Sequence, residues 1–204
     1  VDPVFLPASG RAAQPWRNGG GLTREVAAGS GAGGDFGWRV SLAEVEEPGP
    51  FSVFPEVDRT IVLLSAAGMV LQIEGDQREL VRWEPFRFPG EAATEAFLAA
   101  GPTADLNVMV RRGRWASEVQ ILGHQGPLQS GSADSPATPG DRVTGTAPSL
   151  CLLLALAGPT QVRLGSQGWA LEALDAVVLD AIPVVQPAAE SVVAVISLWQ
   201  LLSW

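Results

Sequence analysis

Ile61-Val62-Leu63-Leu64-Ser65-Ala66-Ala67-Gly68 returns 90 residues later as Cys151-Leu152-Leu153-Leu154-Ala155-Leu156-Ala157-Gly158. Each run is too short for a typical helix and ends at a glycine, as a buried strand does. The residues after each run also correspond. A short alternating segment comes next, Val70 to Ile73 or Gln161 to Leu164. Then come Leu80 or Leu171, an acidic turn at Glu84 or Asp175, and an apolar strand at Phe86 to Phe88 or Val177 to Leu179. The repeat is one of strands and turns, with a register drift of about one residue.

Outward from these runs the same style continues. Twenty-three Gly and 16 Pro punctuate short stretches of Val, Leu, Ile, Phe and Trp. This pattern predicts further strands near Thr23 to Ala27, Trp38 to Val45, Thr60 to Ser65, Gly68 to Glu74, Arg78 to Val81, Leu106 to Arg111 and Glu118 to Leu122. In the second half strands are expected near Leu150 to Leu156, Thr160 to Leu164, Trp169 to Glu172, Ala176 to Leu179 and Ser191 to Leu198. Glu91 to Ala100 suits either a short helix or a strand, and its place between Gly/Pro turns favours the strand. Two similar all-β halves predict a duplicated sandwich or jelly roll; the alternative is a chance echo among Leu-rich and Ala-rich segments. The Gly/Pro/Ser-rich stretch 123–149 reads as a connection, leaving 1–122 and 150–204 as the two halves.

Composition bounds the function. The chain has 204 residues, 47% hydrophobic and 17% charged, enough for one large domain or two small ones. A net charge of -9 argues against nucleic acid or an anionic membrane as partner. The single cysteine, Cys151, excludes an intramolecular disulfide. The longest apolar run, Leu150 to Ala157, falls far short of the roughly 20 residues that span a bilayer, and no leader pattern opens the sequence. A soluble, cytoplasmic protein is the expectation. All 13 cations are arginine, 11 of them before residue 115. Guanidinium groups suit bidentate recognition of carboxylates, so a site for a small acid belongs in the first half.

The first half also carries a resemblance. Pro15-Trp16-Arg17-Asn18-Gly19-Gly20-Gly21 with Thr23-Arg24-Glu25, Trp38 to Val45, Gly49-Pro50-Phe51-Ser52-Val53-Phe54-Pro55, Asp58-Arg59-Thr60, Phe88-Pro89-Gly90 and Asp105 to Gly113 resemble the HutD/Ves family, in order and at similar spacing. The second half is similar only in hydrophobic pattern. The resemblance implies a cupin-type jelly roll with two cupin-like halves, a bicupin, in one chain. It further implies association with histidine utilisation, as an accessory or governing factor that binds a metabolite such as formylglutamate or urocanate. No catalytic residues come with it.

Side chains two apart on a strand share a face. Arg39, Ser41 and Ala43 therefore lie together, as do Asp105, Asn107, Met109 and Arg111. Such polar faces either meet water, as one side of an antiparallel sheet commonly does, or line the mouth of a barrel. In the second case Arg39, Arg59 or Arg111 would bind a carboxylate. Thr23, Ser41, Ser52 and Asn107 would fix a second polar group, and Trp16 and Phe51 would form apolar walls. Glu25 and Asp105 would orient the arginines, unless Asp105 and Arg111 simply satisfy each other. Asn18, in the glycine run, is a further candidate contact.

Other chemistry is poorly supplied. Gly29-Ser30-Gly31-Ala32-Gly33-Gly34 has the spacing of a dinucleotide loop, but an apparent strand comes after it rather than a helix, so it reads as a hairpin loop. The single histidine, His124, cannot build an imidazole cluster, and no compact carboxylate motif suggests Mg or Ca. No cofactor and no metal are expected. The sequence thus predicts a metal-independent protein that binds a small carboxylate. One alternative is a metal-independent cupin enzyme, an isomerase, hydrolase or lyase with Glu25 or Asp105 as base. Another is a protein-interaction module docking near Trp199 and Trp204. An exposed strand edge would need cover, which leaves a homodimer open.

Overall fold

The structure, a computed structural model, describes residues 2–31, 34–123 and 147–201. Among them are 18 strands and no α-helix. In chain order these are β1 (Val4–Leu6), β2 (Ala13–Pro15), β3 (Gly21–Ser30), β4 (Phe36–Val45), β5 (Gly49–Pro50) and β6 (Val57–Leu63). They continue as β7 (Met69–Ile73), β8 (Asp76–Leu80), β9 (Pro85–Pro89), β10 (Thr94–Leu98), β11 (Thr103–Arg111) and β12 (Trp115–Leu122). The last six are β13 (Leu150–Ala157), β14 (Thr160–Leu164), β15 (Gln167–Leu171), β16 (Ala176–Leu179), β17 (Val184–Pro187) and β18 (Val192–Gln200). Every expected strand is present, including the ambiguous segment, which is β10. The alternation did not announce β1, β2, β5 and β17.

The chain divides into two compact units, Arg11–Arg112 and Val1–Gly10 together with Gly113–Trp204. The division differs from the expected one at residue 122 because pairing partners lie far apart in sequence. β1 joins β16, with Phe5 opposite Val177, and β12 joins β18, with Val119 opposite Ile196. Residues 124–146 of the expected connection, His124 among them, lie outside the described residues.

The Arg11–Arg112 unit holds a six-stranded sheet, β2-β3-β4-β11-β6-β9, and a four-stranded sheet, β5-β10-β7-β8. Both contribute to one apolar cluster, with Val45, Ile61, Leu63 and Phe88 from the first and Met69, Leu71, Leu80 and Ala96 from the second. Sandwich packing of this kind takes every second residue inward. At one edge Arg112 clamps Asp58 at 2.7 Å and Glu91 at 2.6 Å, holding the Glu91 carboxyl below its ordinary range.

The second unit repeats the order. Its five-stranded sheet, β1-β16-β13-β18-β12, contains β16-β13-β18-β12 where the first unit has β9-β6-β11-β4. Its three-stranded sheet, β15-β14-β17, matches β8-β7-β10. The echoed runs occupy equivalent central strands: Ile61 lies on β6 between β11 and β9, and Cys151 on β13 between β18 and β16. The inward faces differ. Ile61 and Leu63 pair with Asn107 and Asp105, whereas Cys151 and Leu153 pair with Ser197 and Val195. Val195 joins a continuous hydrocarbon cluster with Leu153, Val162, Leu171 and Val193. Burial there pushes the Cys151 thiol up to about 11, which keeps it protonated and unreactive at neutral pH.

Candidate functional site

The inner face of the six-stranded sheet changes character along its strands. At one end it presents Val45, Ile61 and Leu63 to the core. Toward the other, Ser41 faces Asn107 and Arg39 faces Met109 across β4 and β11, and Arg59 faces Met109 across β6 and β11. The opposite face is apolar and equally buried at Val40, Leu106 and Val108, so the polar side is not the sheet's solvent side. It lines a cavity of about 680 Å³ instead, within the size range of small-molecule sites.

Ten of the twelve residues expected from the sequence line that cavity: Trp16, Asn18, Thr23, Arg39, Ser41, Phe51, Ser52, Arg59, Asp105 and Asn107. Two do not. Glu25 is exposed, at a β-bulge that breaks the alternation between Glu25 and Ala27. Arg111 stands at the end of β11, where it pairs with Asp35 and donates to the Pro55 carbonyl at 2.9 Å. The alternative Asp105–Arg111 pair is therefore not formed, and among the described residues no hydrogen bond or ion pair joins Glu25 to an arginine.

The centre of the site is a buried relay. Arg59 is only 6% exposed, and its Nη2 donates to Asn107 Oδ1 at 2.7 Å. Asn107 Nδ2 in turn donates to Asp105 Oδ1. The amide is thus held in one orientation by a cation on one side and a carboxylate on the other. Arg59 Nη1 makes a long contact of 3.5 Å to the Ser52 carbonyl. Three buried atoms of residues that line the cavity find no partner: Arg59 Nε, Arg39 Nε and Asp105 Oδ2. Buried polar groups are nearly always satisfied, so three such atoms set this wall apart from the rest of the core.

Aromatic rings set the guanidinium groups. Arg59 lies 4.9 Å from the Phe88 ring, 5.1 Å from Phe51 and 5.7 Å from Phe54. Arg39 is held between Phe54 at 5.8 Å and Phe36 at 5.6 Å. Phe54 is therefore shared by both cations, and each such contact helps to offset the loss of water around a charge. Across the cavity Trp16 donates its Nε1 to Thr23 Oγ1 at 2.8 Å and meets Phe51 edge-on. The turn that carries Trp16 needs its glycines. Gly19 has φ of 76°, and a Cβ on Gly21 would collide with the Glu44 carbonyl and crowd the Trp16 ring. Asn18 caps this turn by accepting from the Gly20 N–H at 3.2 Å.

Electrostatics favour an anion. Arg17, Arg39 and Arg59 line the cavity against one carboxylate, Asp105. Burial draws Arg59 down to about 10, with the Asp105 charge opposing and the Arg39 charge adding to the effect, so it stays charged at neutral pH. Burial pushes Asp105 up to about 7, against the pull of Arg59 and Asn107. The acid is thus partly neutral near pH 7, where Arg59 is charged.

A family model described as HutD matches residues 8–195. The chain belongs to the HutD family. An uncharacterized 21.2 kDa protein in the hutC 3' region of Pseudomonas putida is 40% identical over 108 residues, 52% of this chain and 57% of that protein. Protein Ves of Citrobacter koseri is also 40% identical over 108 residues, 52% of this chain and 56% of its own. This HutD-family chain thus spans just over half the length of these two relatives. Among solved structures, a conserved protein of unknown function from Pseudomonas aeruginosa shares 28% identity and a TM-score of 0.79, covering 98% of this chain and 100% of that one. HutD from Pseudomonas fluorescens shares 27% identity and a TM-score of 0.75, covering 97% and 98%.

In the HutD-family chain the sequence reading missed Gln14, Pro15, Arg17, Pro50 and Phe54 as lining residues. Phe54 had a signal, three residues after Phe51 in a Pro-bounded segment. Arg17 and Gln14 had none, because only the pairing of β2 with β3 and the turn between them bring them to the cavity. Ala43 and Met109, placed on the polar faces by alternation, also line it. Among the described residues no three His, Cys, Asp or Glu side chains gather as metal ligands, and no helix is long and apolar enough to cross a membrane. Trp199 is half-buried on β18, and Trp204 lies outside the described residues.

Proposed function

We propose that this HutD-family protein binds a small carboxylate metabolite in the Arg11–Arg112 unit, without a metal, and serves as an accessory or regulatory factor of histidine utilisation. Formylglutamate and urocanate are the candidate ligands. The two units are then two cupin-like halves, of which the first keeps a polar cavity and the second is filled with hydrocarbon. The observation that carries the reading is Arg59: a buried guanidinium in the cavity wall, fixed by Asn107 and three phenyl rings, with an unpartnered Nε and with Arg39 lining the same cavity. The lining offers guanidinium, hydroxyl and amide groups with one carboxylate, and no imidazole or thiol, which suits an organic anion better than a transition metal. Family membership and the likeness to HutD of Pseudomonas fluorescens fit the histidine-utilisation role.

The test is ligand-dependent thermal stability. A ligand that binds only the folded state at about 100 times its Kd adds about 2.7 kcal/mol. Formylglutamate or urocanate should raise the melting temperature; no shift with these two, glutamate or histidine would reject the proposal. One observation favours an enzyme as a second reading. Asp105, a residue of the cavity wall, is a buried carboxyl with an unpartnered Oδ2 and an affinity for protons suited to acid/base work near neutral pH. Glu25, exposed and outside the cavity, does not share that role. Turnover of a bound compound, abolished by Asp105→Asn with binding retained, would decide for catalysis.

A further inference from the structure

We propose that Asp105 takes up a proton when an organic anion enters the cavity, so that anion and proton are bound together. The inference rests on the carboxylate-binding reading and adds its proton linkage. Asp105 is fully buried on β11, with Oδ1 engaged by Asn107 and Oδ2 without a partner. The charged groups on its side are Arg59 from β6 and Arg39 from β4, with Arg17 lining the same cavity from the β2–β3 turn. Asp105 is the one carboxylate in the lining.

An arriving anion competes for the same guanidinium charge that holds Asp105 ionised. Two carboxylates sharing one site cannot both keep their charge cheaply, and the one that is fully buried is the one that protonates. Once Asp105 is protonated, its repulsion of the ligand's charge disappears. Burial already weakens the Asp105 charge before any ligand arrives. Linkage gives the sign. Below about pH 7 Asp105 is already protonated and affinity is flat; above it, binding draws in a proton and affinity falls, by up to about tenfold per pH unit. Arg59 keeps its charge across this range.

Isothermal titration of the full chain with N-formylglutamate, at about pH 6.5 and about pH 8.5 in two buffers of different ionisation enthalpy, reads both quantities. The expected result is at least about a tenfold loss of affinity at the higher pH, with up to one proton taken up per anion bound. Asp105→Asn, which resembles the protonated acid in shape, should bind with an affinity that no longer changes with pH. Binding by the wild type that is flat across this range, with no proton uptake, overturns the linkage and leaves the anion site standing. Absence of binding at both pH values removes the anion site and the linkage together. If Asp105→Asn fails to fold, the proton count on the wild type still decides.

Discussion

Replacing Arg59 with methionine separates its charge from its packing. Methionine keeps an apolar stem among Phe51, Phe54 and Phe88 while removing the guanidinium that donates to Asn107. Charge-assisted hydrogen bonds contribute about 1.5–3 kcal/mol each, so a carboxylate ligand should bind roughly ten- to a hundredfold more weakly. The effect on folding is smaller and depends on pH. Near pH 6 Asp105 is largely protonated already, and the variant loses little more than one buried hydrogen bond, about 1–2 kcal/mol. For a chain of this size that lowers the melting temperature by about 2–8 °C. Above pH 7 the loss grows, because Asp105 no longer has the arginine that favours its charged form and must hold its proton more tightly. Titration calorimetry with formylglutamate near pH 6.5 gives the affinity, and urea unfolding at the same pH gives the stability. A folded Arg59→Met protein that binds as tightly as wild type would refute the reasoning, since the buried cation would then serve the fold alone.

Three further outcomes are expected from the same geometry. Asp105 has a folded-state proton affinity above its unfolded value of 3.8, so between about pH 4 and about 7 the folded state keeps a proton that the unfolded state has lost, and stability falls as pH rises through that window. Asp105→Asn should flatten this slope and be the more stable protein at pH 8, as urea midpoints across pH would show; an unchanged slope would assign it to other groups. Phe54→Leu should weaken anion binding by about tenfold, because one ring positions both Arg39 and Arg59, while circular dichroism stays that of the wild type. Arg111→Ala should leave affinity unchanged and cost no more than about 1 kcal/mol, since its pair with half-exposed Asp35 lies outside the cavity; a large loss of binding would extend the site to that end of β11.

Much of this site could be read from period-two alternation. Arg39 with Ser41, and Asp105 with Asn107, fall on one face whatever the fold, and both pairs line the cavity. What alternation could not decide was whether that face met water or a cavity. Burial on both sides of the sheet decides it, and burial is a tertiary property. Glu25 misled because a bulge is invisible in composition, and Arg111 because Asp35, brought near by the β3–β4 hairpin, captures it at the strand end. The unexpected strands are short and poorly patterned: Ala13-Gln14-Pro15 and Gly49-Pro50 form only because a neighbouring strand supplies their hydrogen bonds. The division of units escaped for a similar reason, since β1 pairs with β16 more than 160 residues away. The echo of the two runs was legible because a central buried strand demands a run of hydrocarbon in either unit. Asp105 opposite Leu63 and Val195 opposite Leu153 then distinguish the polar wall of one unit from the hydrocarbon of the other.

The most direct measurement is a crystal structure of the protein grown with saturating formylglutamate. A carboxylate of the ligand is expected within about 3 Å of the Arg59 and Arg39 guanidinium groups, beside Asn107 and below the Phe51 and Trp16 rings. Ligand bound elsewhere, with Arg59 and Asp105 still bonded only to protein, would contradict the anion site.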